Sequence, residues 1–415
     1  MNDVARELLT GNAAAAWAAR AAEVDYVPAF PITPQTEIIE TLARWARRGE
    51  IRTRLVTMDS EHSMLAAAGT ASASGVRVFT ATSSQGLVFG FEMLYAIAGL
   101  RAPLVLVNVS RALSHPITLE PDHNDALSAR DTGFLQIHTE TCQEVFDSVL
   151  MAYRLAEDAR VLLPALVNLD GFYLSFTREP VELPAPEAVK EFLPPYEPSQ
   201  ARLGGAQPVV LGATVLDPTH YSFFKYQMHR AAENALCVHE EAAEEFARLF
   251  GRRYGLVEEC LLDDAEYVIV MTNSFASMGK AEVRRLRREG KKVGLLRLRM
   301  LRPFPHQEIQ RVLAGRKGVA VVDQNLSVGK GGVLFSEVAS AVLGLDGKRP
   351  VVRSFVGGLG GRRFRPVEFD LMYQRLVEGP KDAAEACRPE LLFSEREFRD
   401  MERLAALAGR GEAGA

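Results

Sequence analysis

The stretch Val76-Arg77-Val78-Phe79-Thr80-Ala81-Thr82-Ser83-Ser84-Gln85-Gly86 decides the fold class. Val76–Ala81 is a short β-branched and aromatic run that reads as a buried strand, and the hydroxyl-rich turn behind it leads into a helix. Leu104–Val109 and Ala165–Leu169 repeat the strand pattern, separated by segments whose apolar residues recur at helical spacing. Strands alternating with helices predict an α/β fold, a parallel sheet covered by helices. Open sheets of this kind bind ligands where strand ends turn into helices, which puts Thr80–Gly86 at a ligand-binding position. A serine-rich turn alone says little more.

Working outward, Ala13–Ala22 is almost pure alanine and predicts a closely packed helix, and Thr36–Arg47 predicts an amphipathic helix opened by Thr33-Pro34. From Arg178 to Pro208 the pattern breaks. Pro180, Pro184, Pro186, Pro194, Pro195, Pro198 and Pro208 leave no room for a regular element and predict an extended crossover. His229–Tyr254 predicts one long charged helix with Glu240, Glu241, Glu244 and Glu245 on its outer face. A second alternating unit follows, with strands at Tyr267–Thr272, Val293–Arg297 and Gly318–Val322 and helices at Lys280–Arg288 and Pro303–Leu313. Ala405–Ala415 is small and polar enough to fray. The chain thus divides into 1–177, a first parallel-sheet domain; 178–255, a proline-rich crossover and long helix; 256–400, a second parallel-sheet domain; and 401–415, a frayed tail.

At 415 residues, 47% hydrophobic and 24% charged, the composition is that of a folded chain of two or three domains, which excludes disorder and disulfide miniproteins. The net charge of −5 and the absence of a basic block argue against nucleic acid as a partner. Cys142, Cys237, Cys260 and Cys387 include no close pair, so neither zinc nor an iron–sulfur cluster is expected in this chain. Met1–Thr10 carries Asp3 and Glu7 and no basic segment, unlike a signal peptide. The longest apolar candidate, Leu94–Val109, is cut by Arg101 and Pro103, so no membrane partner is expected and the chain reads as cytoplasmic. There is no P-loop, and Gly357–Arg363 does not satisfy GxGxxG.

Three motifs admit both a plain and a chemical reading. In Phe30-Pro31-Ile32-Thr33-Pro34-Gln35-Thr36-Glu37, Thr33 with Pro34 reads as an ordinary helix N-terminus; equally, the rigid turn aims a hydroxyl and helix-end amides at an anion. Asp59-Ser60-Glu61-His62-Ser63-Met64 reads as a helix start with acids at the positive end of the dipole, or as a buried acid able to protonate a ring nitrogen. His62 reads best as a structural histidine. Arg111, in Asn108-Val109-Ser110-Arg111-Ala112-Leu113, lies at a strand end, where its planar fork suits either a carboxylate ligand or a surface salt bridge.

Taken in order, these residues resemble the alpha subunit of the pyruvate:ferredoxin (2-oxoacid:ferredoxin) oxidoreductase family. Pro31–Pro34, Ser60–Ser63, Thr80–Gly86, Ser110–Leu113 and Arg130-Asp131-Thr132-Gly133 are similar to its first domain, and Arg302-Pro303-Phe304-Pro305, Asp323-Gln324-Asn325 and Gly358-Leu359-Gly360-Gly361 to its second. The resemblance implies an N-terminal pyrimidine-binding domain of the thiamine diphosphate type and a C-terminal domain like that of transketolase. It implies that a 2-oxo acid, pyruvate first, is decarboxylated with thiamine diphosphate, that two electrons pass singly through 4Fe–4S clusters to ferredoxin, and that coenzyme A takes the acyl group. A beta subunit would hold the diphosphate and magnesium, with gamma and ferredoxin-like delta subunits completing the assembly and carrying clusters. This chain has no Gly-Asp-Gly magnesium motif of its own.

By the same resemblance Glu61 matches the glutamate on the cofactor's pyrimidine, Thr33 and Arg111 match the residues holding the substrate's carboxylate and oxo groups, and Pro31, Ile32, Ser84 and Gln85 fall in the cofactor-binding segments. Relatives acting on oxalate look to carry arginine in place of Thr33, so a neutral residue favours a monocarboxylate; branched-chain 2-oxo acids stay open. The sequence departs from the family at Phe30, where a tyrosine is usual, and at Arg363, where an acid is usual. Two other readings stand beside this one: half of a different thiamine enzyme passing its acyl group to lipoamide, and a non-catalytic assembly subunit of the same fold.

Overall fold

The computed structural model describes residues 5–198, 210–212 and 214–409. Its strands, in chain order, are β1 (Ala5–Thr10), β2 (Tyr26–Ala29), β3 (Arg54–Thr57), β4 (Phe79–Thr82), β5 (Val105–Ser110), β6 (Leu135–His138), β7 (Ala165–Asp170), β8 (Arg178–Leu183), β9 (Val257–Cys260), β10 (Tyr267–Thr272), β11 (Val293–Leu298), β12 (Met300–Arg302), β13 (Gly318–Asp323), β14 (Val351–Val356) and β15 (Glu390–Leu391). The first sheet runs β12-β6-β7-β5-β4, parallel except for β12. A parallel bridge from Tyr26 to Val78 sets the β2–β3 pair beside it. Every residue of β4, β5, β6 and β7 is buried, the result expected when helices cover both faces of a parallel sheet.

The alanines of helix Gly11–Ala21 are the contact that lets this layer pack closely. Ala14, Ala15, Ala16, Ala18 and Ala19 are fully buried in one core with Val145, Val149 and Ala152 of helix Cys142–Ala156 and Ile38 and Leu42 of helix Thr36–Arg47. The second sheet runs β15-β14-β13-β10-β11-β9 and is parallel except for β9. Helices His306–Leu313 and Val333–Leu343 cover one face, and Ala276–Arg288 and Pro366–Glu378 the other.

The two sheets meet at a polar seam. Directly after β11 the chain crosses over, and β12 pairs antiparallel with β6 of the first sheet. Fully buried Arg297 donates to Glu144 at 2.6 Å and to Glu258 at 3.0 Å, and Arg299 donates to Glu144 at 2.6 Å. His138 Nδ1 lies 2.6 Å from Asn273 Oδ1, and burial pushes this histidine down to about 4.

Several expectations need correction. The strand predicted from Val76 begins at Phe79. The predicted extended crossover contains β8 and a helix, Pro186–Phe192. β8 pairs only with β1, an edge arrangement that tolerates Pro180, and Pro186 sits in the first helical turn, where its missing N–H costs nothing. The long helix runs Pro218–Phe250 and starts well before His229, because the Asp217 carboxylate caps it by accepting from Thr219 N at 2.7 Å and His220 N at 3.3 Å. The tail is helical over Glu395–Leu407, capped by Ser394 and Glu397. Pro208 and 410–415 lie outside the described residues. Among the described residues no helix is long and apolar enough to cross a membrane, and no group of His, Cys, Asp or Glu is arranged to hold a metal ion.

Candidate active site

β4 and β5 are parallel neighbours, with Thr82 opposite Asn108, so the turns that leave their C-terminal ends lie side by side. A buried carboxylate ties the two together. Asp125 accepts from Ser84 N at 3.0 Å, Asn108 Nδ2 at 3.1 Å, Ser110 Oγ at 2.5 Å, Arg111 N at 3.3 Å and Ala126 N at 2.7 Å. Burial raises its proton affinity, and these hydrogen bonds oppose the shift. Ser84 has φ +48°, a conformation that costs a non-glycine residue on the order of 1–3 kcal/mol, and its N–H and its hydroxyl, which donates to Ala112 O at 2.7 Å, hold it there.

Arg111 emerges from this junction and is buried, at 7% exposure. Its Nη1 donates to the main-chain oxygen of Thr33 at 2.6 Å and its Nη2 to Gln85 Oε1 at 2.5 Å, while Gln85 Nε2 donates to Ser114 Oγ at 2.7 Å. Arg111 Nε is buried without a partner. Its hydrogen-bonded side-chain partners are neutral, so burial lowers its proton affinity, with Asp125 opposing only in part. The surface salt bridge that the sequence left open is therefore not what this arginine makes.

Thr33 is not a helix N-cap. The helix starts at Thr36 behind Gln35, and Pro31–Gln35 forms a separate turn braced by Asn12 Nδ2 on Pro34 O at 2.8 Å and by Gln35 Nε2 on Phe30 O at 2.8 Å. Thr33 is exposed, and it meets Arg111 through its carbonyl; its hydroxyl has no protein partner among the described residues. Pro31 is exposed and Ile32 half-buried on the same turn.

Glu61 is both the first residue of a helix and buried. Ser60 Oγ accepts from Ser63 N at 3.2 Å and caps helix Glu61–Ala73, while Glu61, its first residue, is buried. Its carboxylate faces Gly86, where an added Cβ would fall 2.5 Å from Glu61 Oε1 and collide with Thr82 Oγ1. Only glycine leaves this cradle open. Thr82 Oγ1 and Ser83 Oγ beside it are buried without partners. Glu61 and Arg111 thus flank the same short turn, 82–86, from two sides. His62 lies outside this group, its Nε2 3.6 Å from Glu92.

Comparison with known proteins gives the family. A family model described as pyruvate flavodoxin/ferredoxin oxidoreductase, thiamine diphosphate-binding, matches residues 17–244, and one described as pyruvate:ferredoxin oxidoreductase core domain II matches 265–369. The chain belongs to the pyruvate:ferredoxin oxidoreductase family. Within that family it is 42% identical over 375 residues to pyruvate synthase subunit PorA of Methanothermobacter thermautotrophicus, covering 90% of this chain and 96% of that protein. It is equally 42% identical over 360 residues to ketoisovalerate oxidoreductase subunit VorA of Pyrococcus abyssi, covering 86% and 90%. Overall identity therefore does not separate the two substrates. A solved structure, the 2-oxoglutarate:ferredoxin oxidoreductase of Magnetococcus marinus, shares the fold with TM-score 0.68 at 20% identity, covering 91% of this chain and 65% of that one.

Asp125, Asn108 and Ser114 were not found by sequence reasoning. Asp125 lies 41 residues from Ser84 and 14 from Arg111, and nothing in its neighbourhood signals that it joins them. Thr82 and Ser83 carried a signal, their place at a strand end.

Proposed function

We propose that this oxidoreductase subunit supplies the pyrimidine-contacting half of a shared thiamine diphosphate site and the contacts to the carboxylate of a monocarboxylic 2-oxo acid, with pyruvate as substrate. Arg111 carries the reading: a buried guanidinium whose hydrogen-bond acceptors are neutral and whose Nε–H has no partner is suited to a small anionic substrate. The exposed, neutral Thr33 beside it adds no second cation, which favours one carboxylate over two.

The residues present fit the cofactor's ring. Around Gly86, where an added Cβ would meet Glu61 and Thr82, the buried Glu61 and the unpartnered hydroxyls of Thr82 and Ser83 offer hydrogen-bonding groups suited to it. Bound there, thiamine diphosphate would supply the nucleophilic carbon and the electron sink for decarboxylation. Glu61 would hold a proton at a ring nitrogen, and Ser84, Gln85, Pro31 and Ile32 would line the ring. Arg111 would orient the carboxylate and the Thr33 hydroxyl would meet the oxo group.

On this reading magnesium, the diphosphate and the 4Fe–4S clusters belong to beta, gamma and delta partner subunits, with coenzyme A as acyl acceptor and ferredoxin as electron acceptor. The division at 177, 255 and 400 then separates the pyrimidine-binding domain, the crossover and the transketolase-like domain. The four free cysteines suit a reducing, cytoplasmic setting.

The test is reconstitution. The chain alone should be folded, inactive and weak in binding thiamine diphosphate; with its co-expressed partners it should show iron–sulfur absorbance and reduce ferredoxin with pyruvate and coenzyme A. Decarboxylation of pyruvate by the chain alone, with thiamine diphosphate and magnesium, would contradict the shared site.

A further inference from the structure

We propose that Ser114 is a positioning residue for Arg111, acting through Gln85; the inference deepens the reading of Arg111 as the carboxylate clamp and rests on it. A guanidinium has donors only, so the amide of Gln85 must turn its oxygen to Arg111 Nη2, 2.5 Å away. The amide nitrogen then points outward and donates to Ser114 Oγ at 2.7 Å. Ser114 lies three residues beyond Arg111, so the loop that carries the arginine folds back and holds Gln85 from its other end. Thr33 O fixes the second guanidinium arm at 2.6 Å.

With both arms held, the plane of the guanidinium is fixed, and Nε–H together with the second N–H of each arm is left for a ligand. The terminal torsion of a glutamine is a broad rotor, and without Ser114 one end of the Gln85 amide is released. Arg111 then rests on a movable acceptor, and the pocket must order it each time substrate binds. Ser114 itself is exposed and belongs to no helix or strand, so its removal leaves the core untouched.

The experiment uses the assembled enzyme and four variants: Ser114→Ala, Ser114→Thr, Arg111→Lys and the Ser114→Ala/Arg111→Lys double. Ser114→Ala should raise KM for pyruvate about three- to tenfold, the size of one neutral hydrogen bond, with kcat, thiamine diphosphate Kd and unfolding temperature close to wild type. Ser114→Thr should restore KM. In the double variant Ser114→Ala should add less than about twofold to Arg111→Lys, because the group it positions is already gone. Wild-type KM in Ser114→Ala, or effects that multiply in the double variant, would overturn the positioning role while leaving Arg111 in place. Unchanged pyruvate kinetics in Arg111→Lys would instead overturn the carboxylate reading, and this inference with it.

Discussion

Arg111 at the strand ends and Arg297 at the seam between the sheets are both buried, and the fold treats them in opposite ways. Arg297 is surrounded by acids, with Glu144 at 2.6 Å, Glu258 at 3.0 Å and Glu140 at 3.4 Å, and their attraction raises its proton affinity against the cost of burial. Arg111 has a carbonyl and an amide for partners, and its proton affinity is lowered. A charge taken out of water needs a counter-charge. At the seam the chain supplies it; at the strand ends the nearby carboxylate is Asp125, which offsets the burial of Arg111 only in part. Unpartnered buried polar atoms occur in both regions, Arg111 Nε, Thr82 Oγ1 and Ser83 Oγ at the strand ends and Arg297 Nε and His138 Nε2 at the seam, so what separates the two arginines is the counter-charge around them.

The contrast makes predictions of opposite kinds for the two regions. At the strand ends, Glu61→Gln should leave assembly and stability near wild type yet slow C2 hydrogen–deuterium exchange of bound thiamine diphosphate by roughly 10²–10⁴-fold, the range of a positioned acid–base group. Wild-type exchange in a well-assembled variant would leave Glu61 only its place at the start of the helix.

At the seam the larger loss should be in stability. Arg297→Met uncovers buried Glu144 and Glu140 and should cost about 3–5 kcal/mol in denaturant unfolding of the assembled enzyme, with KM for pyruvate little changed in the protein that remains folded. A cost below about 1 kcal/mol would show that Arg299 and Lys280 balance those acids by themselves.

His138 sharpens the comparison through pH. Its folded value is pushed down to about 4 from an ordinary 6.5, so as pH falls through this window the unfolded chain takes up the proton first. Stability contributed by the neutral histidine is complete above about 6.5 and is lost as pH drops towards 4, by on the order of 3 kcal/mol. His239, also lowered to about 4, and Asp323, raised to about 7, titrate in both proteins and drop out when wild type and His138→Gln are compared. Parallel stability curves for the two proteins between pH 6.5 and 4 would remove His138 from the seam's acid sensitivity.

The two regions also differ in how much of them could be read in advance. The strand-end site was legible because hydroxyls, an arginine and an acid stand next to strand-to-helix turns, and the neighbouring parallel strands bring those turns together. The seam was not. Arg297 was read as the charged end of a strand, yet β11 continues to Leu298 and the arginine is fully buried, paired with acids 153 and 39 residues away. β6 escapes the sequence pattern because Gln136 and His138 are polar, although both are buried and His138 meets a partner 135 residues away. Thr33 is not the helix N-cap that its neighbours in sequence suggest. Its turn stands apart from the helix, and it meets Arg111 through a carbonyl, a contact that side-chain identity does not encode.

The central claim, that Arg111 is left unbalanced for the carboxylate of the substrate, is tested most directly by Arg111→Lys in the assembled enzyme, measuring kcat/KM for pyruvate alongside Kd for thiamine diphosphate. Lysine keeps the charge and loses the planar fork. The expected result is a fall in kcat/KM of about 10- to 100-fold, the weight of a charge-assisted hydrogen bond, at unchanged cofactor affinity. A raised Kd for thiamine diphosphate with unaltered pyruvate kinetics would contradict it and assign Arg111 to the cofactor.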